Sequence, residues 1–345
     1  MNSPEFEKPM SKPGGIKRKA ITISEDALIR AESLVPGRTL PLMIQAAVKR
    51  IDPIAWIENN KDFVEAKILK HGGIVFRDFN LTSVTDFERF VTAISRELLE
   101  YQERSSPRSQ VGRNIYTSTD YPAEQSIFLH NENSYQNNWP LRIFFFCDTP
   151  AKQGGETPIA DCRRIFEGID TAIREQFIQK KWMLIRNYND GFGLPWQTVF
   201  QTNDKAVVED HCRKNGIIAE WKESNRLRTI AIRPAVARHP GTGEIVWFNH
   251  ATFFHVTTLE PKIRDALLAE FGEEDLPTNT YYGDRTPIEP GVLDLLRDVY
   301  RRETVSFPWQ RGDLLMLDNM LAAHGRAPFV EPRKILVAMA ESYQR

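Results

Sequence analysis

Leu129-His130-Asn131-Glu132-Asn133-Ser134-Tyr135 follows the apolar pair Ile127-Phe128, and its reading decides how the rest of the chain is understood. In an extended strand, residues two apart project to the same side, so His130 and Glu132 present an imidazole and a carboxylate to one point. A His-x-acid triplet is expected about once by chance in a chain of this composition, so the pair alone decides little. Far downstream, Leu317-Asp318-Asn319-Met320-Leu321-Ala322-Ala323-His324-Gly325-Arg326 supplies another imidazole. Two histidines and one carboxylate on one face of a metal, with the other positions open, form the facial triad that suits non-haem Fe(II) and oxygen chemistry. His130, Glu132 and His324 are therefore the candidate metal ligands and the candidate catalytic residues.

The 345 residues exceed the usual single-domain size, but barrels reach this length through insertions. A net charge of -1, with both signs mixed along the chain, leaves no basic field for nucleic acid, so the expected partner is a small molecule. Cys147, Cys162 and Cys212 are odd in number and widely spaced, which predicts a reducing compartment without a disulfide framework. Residues 1–20 carry Pro4, Pro9, Pro13, Gly14 and Gly15 and lack the apolar core of a signal peptide, so a flexible tail is expected. No stretch is apolar over the length a bilayer requires, and a cytoplasmic location with no membrane association is expected.

The remainder, 21–345, reads as one domain. Its first part, about 21–100, reads as a helical layer: Ala27, Leu28, Ala31 and Leu34 recur at helical spacing after Ser24-Glu25-Asp26, and further helices are expected over 41–50, 54–72 and 84–99 around one strand at 74–77. From Gly112 the texture turns to strands at 115–117, 127–130 and 142–147, broken by Pro, Asn and Asp. Gly154-Gly155-Glu156-Thr157 reads as a turn delivering one hydroxyl. Helical insertions are expected at about 160–225 and 260–303, with strands at 182–185, 227–232 and 245–249. A turn at Arg311-Gly312-Asp313 feeds a strand, a loop bearing His324 and a last strand over 335–340.

His130-Asn131-Glu132, Gly154-Gly155-Glu156-Thr157, Trp309-Gln310-Arg311-Gly312-Asp313, Asp318-Asn319, His324-Gly325-Arg326 and Pro332-Arg333, in this order, resemble the Fe(II)/2-oxoglutarate-dependent oxygenases of the taurine dioxygenase and clavaminate synthase-like family. The resemblance extends from about Gly112 to the C-terminus and is closest to members acting on amino-acid units in nonribosomal peptide and antibiotic biosynthesis. It implies a mixed α and β fold, a double-stranded β-helix (jelly roll) core with peripheral helices. It also implies Fe(II), 2-oxoglutarate and O2 as the cofactor set, with His130, Glu132 and His324 on iron. Thr157 matches the hydroxyl that touches 2-oxoglutarate, and Arg333 matches the arginine on its distal carboxylate. Lys334 is cationic too, and strand alternation lets only one of the two face inward; Arg333 is preferred because a guanidinium grips a carboxylate through two parallel hydrogen bonds.

The resemblance implies decarboxylation of 2-oxoglutarate to succinate coupled to oxidation of an unactivated C–H, usually hydroxylation. Related halogenases lack the carboxylate ligand, so Glu132 argues against halogenation; desaturation, epoxidation and cyclisation stay open. Arg113, Asn114, Tyr116, Gln125, Ser134, Asn189, Asn249, Trp309 and Arg326 lie near the motifs on expected loops or strand ends and are the candidate substrate contacts. Their polarity favours an amino-acid-like substrate, free or tethered to a peptidyl carrier protein. Two readings from other classes remain beside this one: a zinc hydrolase, which has no use for Arg333, and a noncatalytic jelly-roll binding protein.

Overall fold

A computed structural model describes residues 28–95, 97–100, 109–119, 121–189, 191 and 193–345. The expected tail and the helix start at Ser24 lie outside these residues.

The core is a pair of sheets. The larger runs, in spatial order, through Ile29–Ser33, Leu42–Ala46, Gly73–Arg77, Leu314–Asp318, Asn138–Thr149, Lys334–Gln344, Ile115–Thr117 and Gln110–Gly112. The smaller runs through Thr304–Val305, Ile159–Asp161, Ala322–Arg326 and Ile127–His130. Alternation along Asn138–Thr149 explains their stacking. Ile143, Phe145 and Cys147 face the smaller sheet and pack with Ile159, Leu315, Leu317, Ala322 and Val337. Phe144 and Phe146 face the other way, onto helices Pro53–Asn59, Lys61–His71 and Val84–Ile94 through Trp56, Ile68, Phe87 and Phe90. Phe87 stacks on Phe146 with ring centroids 5.2 Å apart.

Helices Cys162–Gly168, Thr171–Lys180 and Pro290–Glu303 cover the smaller sheet. A third sheet, Ile217–Lys222, Arg226–Arg233, Trp182–Tyr188 and Thr278–Tyr282, lies in the inserted region.

The first part of the chain departs from the helical expectation. Ile29–Ser33 and Leu42–Ala46 are strands, the second pairing parallel with Gly73–Arg77. Leu42, Met43 and Ile44 are consecutive and buried, as a strand covered on both faces requires, and pairing at the sheet edge overrides local helical spacing. His324 is not in a loop: it sits within Ala322–Arg326, the strand between Ile127–His130 and Ile159–Asp161.

Candidate metal centre and its two pockets

The ladder of the smaller sheet brings the two imidazoles together. His324 is in register with His130 on one side and Ile159 on the other, and the two imidazole centroids are 4.6 Å apart. His130 ends its strand, and Glu132 follows in the turn whose Asn133 has φ 57°. One ligand atom from each of His130, Glu132 and His324 lies within 4.8 Å of the others, with His324 Nε2 3.9 Å from a Glu132 carboxylate oxygen. Two neutral imidazoles and one carboxylate leave a divalent ion net positive with open positions, so the donor set fits Fe(II).

The surroundings aim these groups. His130 Nδ1 lies 2.9 Å from the Phe128 carbonyl, an acceptor that suits the tautomer with the proton on Nδ1 and the lone pair on Nε2. Asn319, fully buried, holds the Glu132 backbone from both sides: its Oδ1 accepts from the Glu132 N–H at 2.8 Å, and its Nδ2 donates to the Glu132 and Pro140 carbonyls at 2.9 Å each. Asn131 Nδ2 donates to the Asn319 carbonyl at 2.6 Å. Asp318 accepts from the N–H groups of Met320 and Leu321 through one oxygen, and from Arg142 (2.6 Å) and His239 (3.0 Å) through the other. Burial alone would raise the Asp318 pKa; the His239 hydrogen bond and the Arg142 charge outweigh it and hold the group below the usual carboxylate range. The turn leading to His324 is thereby fixed.

A small cleft leads from this cluster between the two sheets, lined by His130, His324, Thr157, Phe145 and Arg333. Thr157 is buried and its hydroxyl accepts from the Trp309 indole N–H at 3.3 Å. Arg333 donates through Nε to the Gly155 carbonyl at 2.8 Å. Gly155 has φ +76°, and a Cβ there would lie 2.9 Å from Arg333 Cδ, so glycine is what lets the arginine lie against this turn. No carboxylate among the described residues forms an ion pair with Arg333. Burial, reinforced by Arg326, pulls its pKa down to about 10, the signature of a buried cation short of an anion. Lys334 faces the other way and pairs with Asp148 at 3.3 Å.

A larger pocket of about 490 Å³ is also lined by His130, together with Glu132. Of the candidate substrate contacts, Gln125 lines it. The others are placed elsewhere, and all but Arg113 have a backbone or core duty. Arg113 is exposed, and Asn114 donates to the Leu98 carbonyl at 2.8 Å. Tyr116 belongs to the inter-sheet core. Ser134 is buried behind His250, with Oγ 2.6 Å from His250 Nδ1. Asn189 donates to Gln197 and to the Asn225 carbonyl, while Asn249 ties Ala235 to Ala251. Trp309 holds Thr157. Arg326 lines the smaller cleft and donates to the carbonyls of Tyr121, Pro122 and Gln125.

Much of the larger pocket comes from a segment the motifs did not single out, with His250, Phe253, Phe254 and His255 on its wall. His250 stacks on Phe254 at 4.9 Å. Burial, with the charges of His130 and Arg186, keeps His250 well below the ordinary imidazole pKa. Two histidines and two phenylalanines within six residues after an apolar strand were the available signal.

A double-stranded β-helix carrying a two-histidine, one-carboxylate cluster is the frame of the Fe(II)- and 2-oxoglutarate-dependent dioxygenases, and comparison with known proteins puts this enzyme in that class, with Fe(II), 2-oxoglutarate and O2 as its cofactor set. The family model described as taurine catabolism dioxygenase TauD, TfdA family matches residues 37–339, and the chain belongs to that family. The dapdiamide synthesis protein DdaC of Enterobacter agglomerans is 40% identical over 278 residues, covering 81% of this chain and 84% of that protein. A clavaminate synthase-like protein of Arabidopsis thaliana is 28% identical over 319 residues, covering 89% and 90%. PvcB of Pseudomonas aeruginosa, an Fe, alpha-ketoglutarate dependent oxygenase from an isonitrile synthetic pathway, shares the fold: TM-score 0.53, 14% identity, 93% of this chain and 94% of that one. The family match begins well upstream of Gly112, so the first part of the chain is part of the family's frame. Among the described residues, no helix is long and apolar enough to cross a membrane.

Proposed function

We propose that the enzyme oxidises an unactivated C–H bond of an amino-acid-like small molecule, free or carrier-tethered, by hydroxylation. In this reading His130, Glu132 and His324 hold the iron, and Thr157 and Arg333 hold 2-oxoglutarate. The observation that supports it most is a single cleft with two clustered imidazoles at one end and an arginine lacking a carboxylate partner at the other. The relation to a dapdiamide synthesis protein supports an amino-acid-derived substrate and a place in antibiotic biosynthesis.

When bound, Fe(II) and 2-oxoglutarate supply the oxidation, with O2 consumed and 2-oxoglutarate converted to succinate and CO2. The chain's part is positioning and exclusion of water. Arg333 gives a carboxylate two parallel donors, and Thr157, oriented by Trp309, offers a hydroxyl beside it. Phe145, Ile335 and Val337 make the cleft wall apolar, which strengthens those contacts. Asn319 and Asp318 keep the ligand-bearing turns in place, and the larger pocket aligns the target carbon against the cluster. The free thiols of Cys147 and Cys162, pushed up to about 12 by burial, take no part and suit a reducing cytoplasm.

The test is an anaerobic titration with Fe(II) and then 2-oxoglutarate, read by the visible charge-transfer band of the chelated keto-acid. A band that is lost in Arg333→Ala is expected. Metal binding without the band would favour a zinc hydrolase, and no metal binding would end the catalytic reading.

A further inference from the structure

The wall chemistry of the larger pocket narrows the substrate. None of the described residues lining it is a lysine or an arginine. His255, on the same wall, adds no positive charge at neutral pH, because burial, with Arg297 nearby, lowers it to about 4. The nearby cations lie outside this lining and have partners of their own: Arg326 donates to three backbone carbonyls, Arg333 lines the smaller cleft, Arg186 lies over the Tyr135 and Tyr188 rings, and Arg297 donates to Asp294, Thr257 and Thr258.

Two carboxylates line the same pocket. Glu132 belongs to the metal cluster, whereas Glu260 is exposed and pairs with no described lysine or arginine. Tyr121, which lines the same pocket, has its pKa raised by burial and then by the charge of Glu260, so the two groups lie close enough to interact. Phe128, Phe253 and Phe254 supply aromatic surface between.

A free carboxylate or sulfonate entering here would shed water, gain no cation and face Glu260. An ammonium group would gain Glu260 as counter-charge and aromatic faces for cation–π contact. We propose that the substrate of this pocket is a protonated amine whose acid function is masked as an amide, ester or thioester, and that Glu260 selects the amine. This deepens the proposed function and rests on it.

The experiment uses probes of one skeleton that differ in charge: leucinamide (cation), 4-methylpentanamide (neutral), leucine (zwitterion) and 4-methylpentanoate (anion). Each is titrated anaerobically into the full chain loaded with Fe(II) and 2-oxoglutarate, and binding is read by calorimetry and by displacement of the charge-transfer band. Leucinamide is expected to bind about three- to tenfold tighter than the other probes, the range for an ion pair at a partly solvated rim. Glu260→Gln should remove its advantage over 4-methylpentanamide, and Glu260→Lys should turn the preference to 4-methylpentanoate, with the band intact in both variants. Replacing leucinamide by leucyl N-acetylcysteamine thioester separates the sources: a further gain assigns a carrier-borne thioester, and parity assigns a free amide or ester. The proposal is overturned if leucine or 4-methylpentanoate binds as tightly as leucinamide, if leucinamide does not bind, or if its preference survives Glu260→Gln. A wild-type protein that gives no band refutes the iron and 2-oxoglutarate reading itself, a result distinct from a band without charge preference.

Discussion

Asn319→Ala separates positioning of the metal cluster from general stability. The side chain is fully buried and makes three hydrogen bonds, two to the Glu132 backbone and one to Pro140. Alanine leaves the Glu132 N–H, the Glu132 carbonyl and the Pro140 carbonyl without that partner. At about 1 kcal/mol net for each bond the loss is about 3 kcal/mol, and for a chain of this length a Tm drop of about 4 °C. The larger effect is local. A ligand whose supporting partner is removed typically loses about ten- to a hundredfold in metal affinity, so Mn(II), used as a redox-stable probe, should bind that much more weakly in calorimetry. Asn319→Ala with a lowered Tm and wild-type Mn(II) affinity would refute the claim that Asn319 aims Glu132.

His130→Ala, Glu132→Ala and His324→Ala should each abolish Fe(II) binding while near-ultraviolet circular dichroism stays native; tight binding in any of them removes that residue from the cluster. Arg333→Gln should weaken 2-oxoglutarate by about a hundredfold, as loss of one partner of a buried charge pair does, without lowering the Tm of the protein free of 2-oxoglutarate, because it removes a buried cation lacking a carboxylate partner. Gly155→Ala, at φ +76° and pressed on Arg333, should weaken 2-oxoglutarate about tenfold with wild-type metal affinity, checked by the same band titration. His255 has a folded pKa of about 4, depressed from 6.5, so the unfolded chain binds more protons between those values and stability is lost as pH falls from 6.5 to 4. The loss is about 3 kcal/mol over that range, and a Tm-against-pH profile that is no flatter in His255→Gln would exclude His255 as the cause.

The motifs proposed to carry the chemistry are legible in the sequence because their constraints are local. His130-Asn131-Glu132 reads the same in any fold, and Gly154-Gly155 marks a left-handed turn wherever it occurs. What the chain did not reveal locally depended on distant partners. Leu42-Met43-Ile44 becomes strand because Gly73–Arg77 offers a parallel neighbour, and His324 becomes a strand residue because Ile127–His130 and Ile159–Asp161 flank it. The substrate candidates illustrate the limit most clearly. Polar residues near motifs, such as Asn114, Asn189 and Asn249, are drawn to backbone groups that irregular loops leave unpaired, so proximity in sequence to a site selects scaffolding as readily as contact.

The placement of the cluster would also account for the proposed division of labour between the two pockets. His130 borders both, as do Thr119 and Ile127, so the two pockets meet at this strand end. The small cleft is built from core strands, with Arg333 introducing Lys334–Gln344 and Thr157 leading into Ile159–Asp161, and its geometry is therefore tied to the jelly roll itself. The larger pocket draws on the segment from His250 to Glu260, which lies outside the strands of the two core sheets and carries Phe253 and Phe254, neither of them fully buried. Substitutions at Phe253 or Phe254 should therefore alter substrate choice while the 2-oxoglutarate band keeps its wild-type affinity, and a parallel loss of both would show that the two pockets are one mechanical unit.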